Sequence, residues 1–320
     1  MDDLENRYMT LEISDTATIV VTDSGLGGLS VFAAIADGLA RTCPWSGVNL
    51  VYFNAWPEKN RGYNHYPDMT WKARVFDNAL AAMSRLRPDI LVIACNTLSV
   101  IYPYTDYAKF PPVPVHDIIG RGVDMIAAAL VRDPETGVIL FGTPTTAESH
   151  IHAQGLIRKG IAPERIINQG CVNLAGTIER NPFDPDLPAM IQDNVDQARA
   201  AGAKQFPHLA AGLCCTHFGY CGNLFSAAIA GRSGSPPLIL NPNQALADQV
   251  LFQAEQILSR SLTREDQGAI PSNMDISIMS RVPWDPERIT AYKTLFASHA
   301  PRVATALADY HFTPDLFKIQ

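Results

Sequence analysis

Two motifs recur in this chain at one fixed interval, and that interval limits what the chain can fold into. Asp23 stands 120 residues before Thr143, Cys95 stands 120 residues before Cys215, and within each half the two positions are 72 residues apart. Ile19-Val20-Val21-Thr22-Asp23-Ser24 lines up with Ile139-Leu140-Phe141-Gly142-Thr143-Pro144, and Ala94-Cys95-Asn96-Thr97 lines up with Cys214-Cys215-Thr216-His217. Each motif closes an apolar run and opens into small polar residues. That pattern reads as a buried strand delivering a side chain to its C-terminal end, where α/β proteins build their sites. The repeat predicts two related α/β units whose strand C-termini converge on one cleft, with a cysteine on either side of it.

The remaining periodicity fits that plan. Strands are expected over 17–22, 48–53, 89–94 and 113–119 in the first half. In the second half they are expected over 137–143, 165–169, 209–213 and 238–241, with one more over 275–279 in the tail. Helical spacing covers 69–86, 124–131, a stretch from about 146, 186–201, 244–260, 286–298 and 303–310, and it begins again directly after the glycines at 25–28. Strands alternating with helices predict an α/β fold, two pseudo-symmetric lobes with mainly parallel sheets. The proline-rich entry at Pro111, Pro112 and Pro114 marks a crossing between lobes.

Composition removes several classes of function. The 320 residues are 47% hydrophobic and 18% charged, enough for one large domain or two ordinary ones with filled cores. A net charge of −7 argues against nucleic acid or an anionic membrane as the main partner. No apolar run approaches the roughly 20 residues of a membrane span, and the start of the chain is polar rather than signal-like. Six cysteines (Cys43, Cys95, Cys171, Cys214, Cys215, Cys221) are too few in so long a chain for a disulfide scaffold. The expectation is a cytoplasmic protein with reduced thiols. No C-x-x-C, H-x-x-x-H or H-E-x-x-H pattern occurs, so no metal is assigned.

An unpaired buried cysteine is ordinarily a small hydrophobe, and Cys43, Cys171, Cys214 and Cys221 are read that way. The polar followers of Cys95 and Cys215 suit a site instead. A thiolate needs donors or a cation beside it, and His217, two residues from Cys215, is placed to serve as one or as a general acid. Asp23-Ser24-Gly25-Leu26-Gly27-Gly28 looks like a glycine-rich anion loop, but Ser30 breaks G-x-G-x-x-G and no lysine follows as in a Walker A loop. Those glycines are expected to bring backbone amides close to a carboxylate. Asp23 is either a cap or a charge that controls the nearby thiol. Glu179 closes an apolar stretch and by itself reads as a solvated acid.

Taken together, these motifs resemble the cofactor-independent aspartate/glutamate racemase superfamily, and glutamate racemases most closely. Asp23 through Val31 is similar to that family's opening D-S-G-x-G-G-L-S-V, Ala94-Cys95-Asn96-Thr97 to its A-C-N-T, Gly142 through Thr146 to its G-T-x-x-T, and Cys215-Thr216-His217 to its C-T-H. The stretch from Cys171 to Glu179 resembles the one that carries an auxiliary glutamate. The order is right, and the similarity spans about 17–260.

The resemblance implies two α/β lobes, the first formed by 1–118 and rejoined by 240–320, the second by 119–239, with the active site between them. It implies racemisation of an amino acid, glutamate or another acidic one, without pyridoxal phosphate, metal or other cofactor. One cysteine thiolate removes the α-proton while the other, as a thiol, protonates the opposite face. Cys95 is then assigned to the D-enantiomer with Asp23 assisting, and Cys215 to the L-enantiomer with Glu179 and His217 assisting. Ser24, Asn96, Thr97, Thr143, Thr146 and Thr216 are the expected carboxylate and ammonium binders. A homodimer is a family expectation.

The chain also departs from the pattern. Aligned without gaps after the second strand, Asn60-Arg61-Gly62 stands where the family carries P-Y-G, which makes Arg61 and Gly62 candidate substrate contacts. Ala55-Trp56-Pro57 replaces D-T-A, and His152 replaces a tyrosine. These changes leave the substrate open. Hydantoin racemase, maleate isomerase-like and decarboxylase chemistry stay as alternatives, as does a non-catalytic homologue that binds a small acid or a protein. Two paired cysteines favour racemisation or isomerisation over decarboxylation, which needs one proton donor.

Overall fold

Runs of Ile, Val and Leu without polar interruption need cover on both faces, which parallel strands flanked by helices provide. The computed structural model describes residues 16–42, 47–230, 236–259 and 273–319; Cys43 and the polar leader lie outside these described residues. The first sheet holds β1 (Thr16–Asp23), β2 (Gly47–Asn54), β3 (Ile90–Ile93) and β4 (Val115–Asp117). The second holds β5 (Thr136–Gly142), β6 (Ile166–Gly170), β7 (His208–Cys214) and β8 (Leu238–Leu240). Two tail strands, β9 (Asn273–Ser280) and β10 (His311–Phe312), join the first sheet. The orders are β10-β9-β2-β1-β3-β4 and β6-β5-β7-β8, with every pairing parallel. The shared core order β2-β1-β3-β4 against β6-β5-β7-β8 is the repeat read from the sequence, now as topology.

The helices are α1 (Leu29–Thr42), α2 (Met69–Ser84), α3 (Asn96–Ile101), α4 (Ile118–Arg132), α5 (Pro144–Glu148), α6 (Ile151–Arg158), α7 (Leu174–Arg180), α8 (Leu187–Ala200), α9 (Gly222–Ala230), α10 (Pro242–Ser259), α11 (Pro286–Phe296) and α12 (Pro301–Ala308). Alternation along each strand divides the core into layers. Ile19 and Val21 of β1 join Val138 and Leu140 of β5 in one large cluster that runs between the sheets, together with Leu246 and Val250 of α10. Val20 turns to the other face of the first sheet, and Ile139 and Phe141 to the other face of the second. A continuous core between the sheets fixes their strand ends relative to one another, as a shared site requires.

Two elements differ from the sequence expectation. The strand expected over 113–119 ends at Asp117, whose carboxylate caps α4 by accepting from the Ile119 amide at 2.9 Å. Ile118 and Ile119 therefore lie on the buried face of a helix rather than in a strand, and a cap of this kind is worth about 1 kcal/mol. The helix expected from about 146 is two helices, because Thr143 caps a short one at Pro144 and His150 adopts a left-handed φ of 52°. Among the described residues, no helix is long and apolar enough to cross a membrane.

Candidate active site

The C-terminal ends of both sheets open onto one cavity of about 620 Å³. Cys95 enters it directly after β3, as the residue that caps α3, and Cys215 enters directly after β7. Ser24, Asn96, Thr97, Thr143, Thr216, His217, Glu179 and Gly62 also line the wall. Asp23 and Thr146 are buried behind it. Arg61 stands apart, half-exposed, with its guanidinium 4.7 Å from the Tyr66 ring and 3.6 Å from Glu58.

The glycine loop after β1 has to pass very close to the second half. A Cβ at Gly25 would lie 2.6 Å from Glu179 Oε2, and one at Gly27 would collide with Thr216 Oγ1 and lie 2.7 Å from the His217 backbone nitrogen. Only glycine permits that approach. The loop's amides do meet carboxylates, and these are the protein's own: Gly25 N–H donates to Asp23 Oδ1 at 3.0 Å and Leu26 N–H to Glu179 Oε2 at 2.7 Å. Asp23 Oδ2 also accepts from Thr216 Oγ1 at 2.8 Å. The loop therefore couples the two halves instead of presenting an empty anion cradle.

Around Cys215, His217 Nδ1 lies 3.8 Å from the sulfur, and its Nε2 is 2.6 Å from Glu179 Oε2. Glu179 is 6% exposed, so the sequence-level picture of a solvated acid is replaced by a buried partner of the imidazole. Burial opposes the imidazolium, but its contacts with Cys215 and Glu179 outweigh that and hold His217 well above the usual histidine range. An imidazolium beside a sulfur is a ready counter-ion for a thiolate. Around Cys95 no cation is within contact among the described residues. Its sulfur meets Ser24 Oγ at 3.2 Å and accepts from the Leu98 amide at 3.5 Å. Burial, then the Asp23 charge, push the Cys95 thiol up to about 12, against the opposing effect of Ser24. Burial also lifts the Asp23 carboxyl to about 6.

The threonines form a bridge across the cleft: Thr97 and Thr143 hydroxyls are 2.9 Å apart, and Thr143 and Thr146 3.1 Å. His152 sits beneath Asn96, with Nε2 3.1 Å from the Asn96 amide oxygen. Burial lowers His152 to about 4, so at neutral pH it is uncharged. With that nitrogen protonated it donates to the oxygen, which leaves the buried Asn96 Nδ2 without a partner. The Tyr63 hydroxyl and Glu179 Oε1 are likewise buried and unpartnered, and both residues line the cavity. Groups of this kind are expensive unless a ligand completes them.

Sequence reasoning missed several wall residues. Tyr63, two positions beyond Arg61, is a tyrosine of the loop after β2 that lines the cavity, whereas Arg61 does not. Trp56 was noted as a departure but given no role. Arg288 of α11 belongs to a tail with no recognisable motif. Cys171, Cys214 and Cys221 are buried free thiols, as read from sequence. Among the described residues, no cluster of three or more His, Cys, Asp or Glu is placed to hold a metal ion.

Two parallel α/β sheets packed about a shared core, with a thiol from each at equivalent strand ends, define a two-lobed protein with a shared interlobe site. The comparisons agree on the fold. A glutamate racemase from Vibrio vulnificus (strain CMCP6) is 27% identical over 254 residues, 78% of this chain and 86% of the relative. The structure of glutamate racemase from Thermus thermophilus in complex with β-chloro-D-alanine superposes with a TM-score of 0.61, 22% identity, and coverage of 93% and 95% of the two chains. That from Francisella tularensis, in complex with D-glutamate, gives 0.59 at 19% identity over 89% and 96%. No protein-family model matches the chain. The chain's distant relatives and structural neighbours are glutamate racemases, members of the aspartate/glutamate racemase superfamily, and its fold is theirs.

Proposed function

We propose that this protein is an amino-acid racemase that moves the α-proton of an acidic amino acid between Cys215 and Cys95. The observation that carries the proposal is the pair of thiols at equivalent strand ends of the two sheets, lining one cavity in unequal surroundings. Starting from the L-enantiomer, the Cys215 thiolate takes the α-proton and becomes a thiol. The electron pair of the broken C–H bond stays on the α-carbon, delocalised into the carboxylate. The Cys95 thiol gives its proton to the opposite face, which yields the D-enantiomer and a Cys95 thiolate. The reverse reaction begins from Cys95.

An α-C–H beside a carboxylate is a very weak acid, so both the carbanion and the bases need positioned help. His217, held by Glu179, is the counter-ion for the Cys215 thiolate. Ser24 is the hydrogen-bond partner of the Cys95 sulfur, and Asp23, one residue before it, keeps the loop tied to Thr216. Asn96, Thr97, Thr143 and Thr216 supply the polar wall for carboxylate and ammonium. The unpartnered donors of Asn96 and Tyr63 suit a carboxylate, and an acidic substrate is supported by the glutamate racemases among the relatives. The same reading divides the chain into a lobe of 1–118 with 240–320 and a lobe of 119–239.

Proton NMR in D₂O against D- and L-amino acids, hydantoins and maleate is the test. Wild type is expected to wash deuterium into the α-position of an acidic amino acid. No exchange with any of these compounds sinks the proposal, and exchange that survives loss of both thiols sinks the two-base assignment.

A further inference from the structure

Arg288 reaches the cavity from the C-terminal segment, in the first turn of α11. It is 8% exposed, its Nε has no hydrogen-bond partner, and among the described residues no carboxylate lies within 4.0 Å to pair with it. Asp285 pairs with Lys59 at 3.3 Å, and Glu179 is held through Oε2 by His217 and the Leu26 amide, its Oε1 making no ion pair with Arg288. A buried guanidinium without a counter-ion is a poor way to stabilise a fold and a good way to bind an anion.

The side chain is also held in place. Its guanidinium carbon lies 5.1 Å from the centroid of the Trp56 ring, another residue of the cavity wall. One turn further on, the Tyr292 hydroxyl donates to the Ile178 carbonyl at 3.1 Å, which pins α11 beside Glu179. The Lys59–Asp285 pair ties the start of α11 to the loop after β2. A planar donor fork fixed by an aromatic face fits a carboxylate better than a neutral group.

We infer that Arg288 is a specificity-determining residue that binds the side-chain carboxylate of the substrate, so that the site takes dicarboxylic amino acids over neutral ones of the same length. This rests on the racemase reading, in which Asn96, Thr97 and Thr216 take the α-substituents and leave Arg288 for the distal group.

The experiment compares wild type, R288Q and R288K, each checked for an unchanged melting profile. Exchange kinetics are measured in D₂O with glutamate, aspartate and glutamine, and glutarate and pentanoate binding by calorimetry. The expected result for R288Q is a rise in KM for the acidic substrate of about 30-fold with kcat within about threefold, glutamine unaffected, and part of the loss recovered in R288K. Glutarate affinity should fall by a similar factor while pentanoate does not change. An acidic-substrate KM and a glutarate affinity that both stay within threefold in R288Q overturn the inference and leave the racemase standing. If wild type exchanges no α-proton, the racemase reading fails, and glutarate still decides on Arg288. Arg288-dependent binding upholds it; equal or absent binding overturns it.

Discussion

Cys95 and Cys215 arrive at the cavity by the same route and find different neighbours. Both directly follow a central strand of a parallel sheet, β3 in one half and β7 in the other. Cys215 has a buried imidazole 3.8 Å away, backed by a carboxylate at 2.6 Å. Cys95 has a serine hydroxyl at 3.2 Å and a backbone amide, and burial with the Asp23 charge pushes it up to about 12. The two sheets present the thiols at equivalent positions, and the side chains around them differ. Burial and a neighbouring carboxylate favour the thiol form of Cys95, whereas Cys215 has a cationic neighbour in His217. The difference teaches that matched backbone positions need not carry matched chemical surroundings.

Replacing either sulfur tests the comparison most severely. Cys95→Ser and Cys215→Ser should each lower racemisation by about 10³-fold or more, the range for removing a positioned acid or base. Near-normal turnover in either variant breaks the pairing. His217→Gln comes next, with a loss of about 10²-fold. Because His217 is held above its usual range, the imidazolium is present at neutral pH and lost as pH rises through that raised value. Wild-type activity should therefore fall on the alkaline side, and that fall should be missing from the His217→Gln profile.

Asp23 affects stability in the opposite sense from most acids. Its folded pKa is raised from 3.8 to about 6, so its favourable contribution is complete only below the unfolded value and is gone once pH exceeds about 6. Asp23→Asn should thus melt higher than wild type at about pH 7.5, by about 2 kcal/mol, and the gap should close near pH 4. A variant less stable at both pH values would show that the Gly25 and Thr216 bonds outweigh desolvation. The smallest effect is expected from Ser24→Ala, about tenfold in activity through one lost hydrogen bond to the Cys95 sulfur. If the loss exceeds that from His217→Gln, the two sulfurs have been assigned to the wrong surroundings.

The parts of this site that sequence revealed are those built from contiguous residues. A strand, a turn and a helix start at fixed spacing brought Asp23, Ser24, Cys95, Asn96, Thr143, Cys215 and His217 into view, and the 120-residue interval anticipated the matched strand orders. Glu179 was legible only through resemblance, because its burial depends on Leu26 and His217, which are distant in the chain. Tyr63 lies in the loop after β2, where no periodicity marks which side chain turns inward. Arg288 was not legible, since nothing local in 285–296 says that α11 docks against the backbone of α7 through Tyr292. Strand 113–119 was misjudged where Asp117 acts as a cap, a competition between β-branched propensity and capping that tertiary context decided.

β9 pairs with β2 over eight residues, from Gly47 against Asn273 to Asn54 against Ser280. During synthesis, at roughly 5–20 residues per second, more than two hundred residues emerge before that partner exists. Until then β2 is an open edge made largely of Val, Leu, Tyr and Phe, the kind of surface that recruits other chains. The second sheet has its strands close together in the chain, whereas the first needs a distant one, so the β2–β9 pairing should be the slow step in completing the first sheet. A nascent chain halted before β9 should therefore be the species that aggregates, and release of the last segment both seals that edge and installs Arg288 in the cavity.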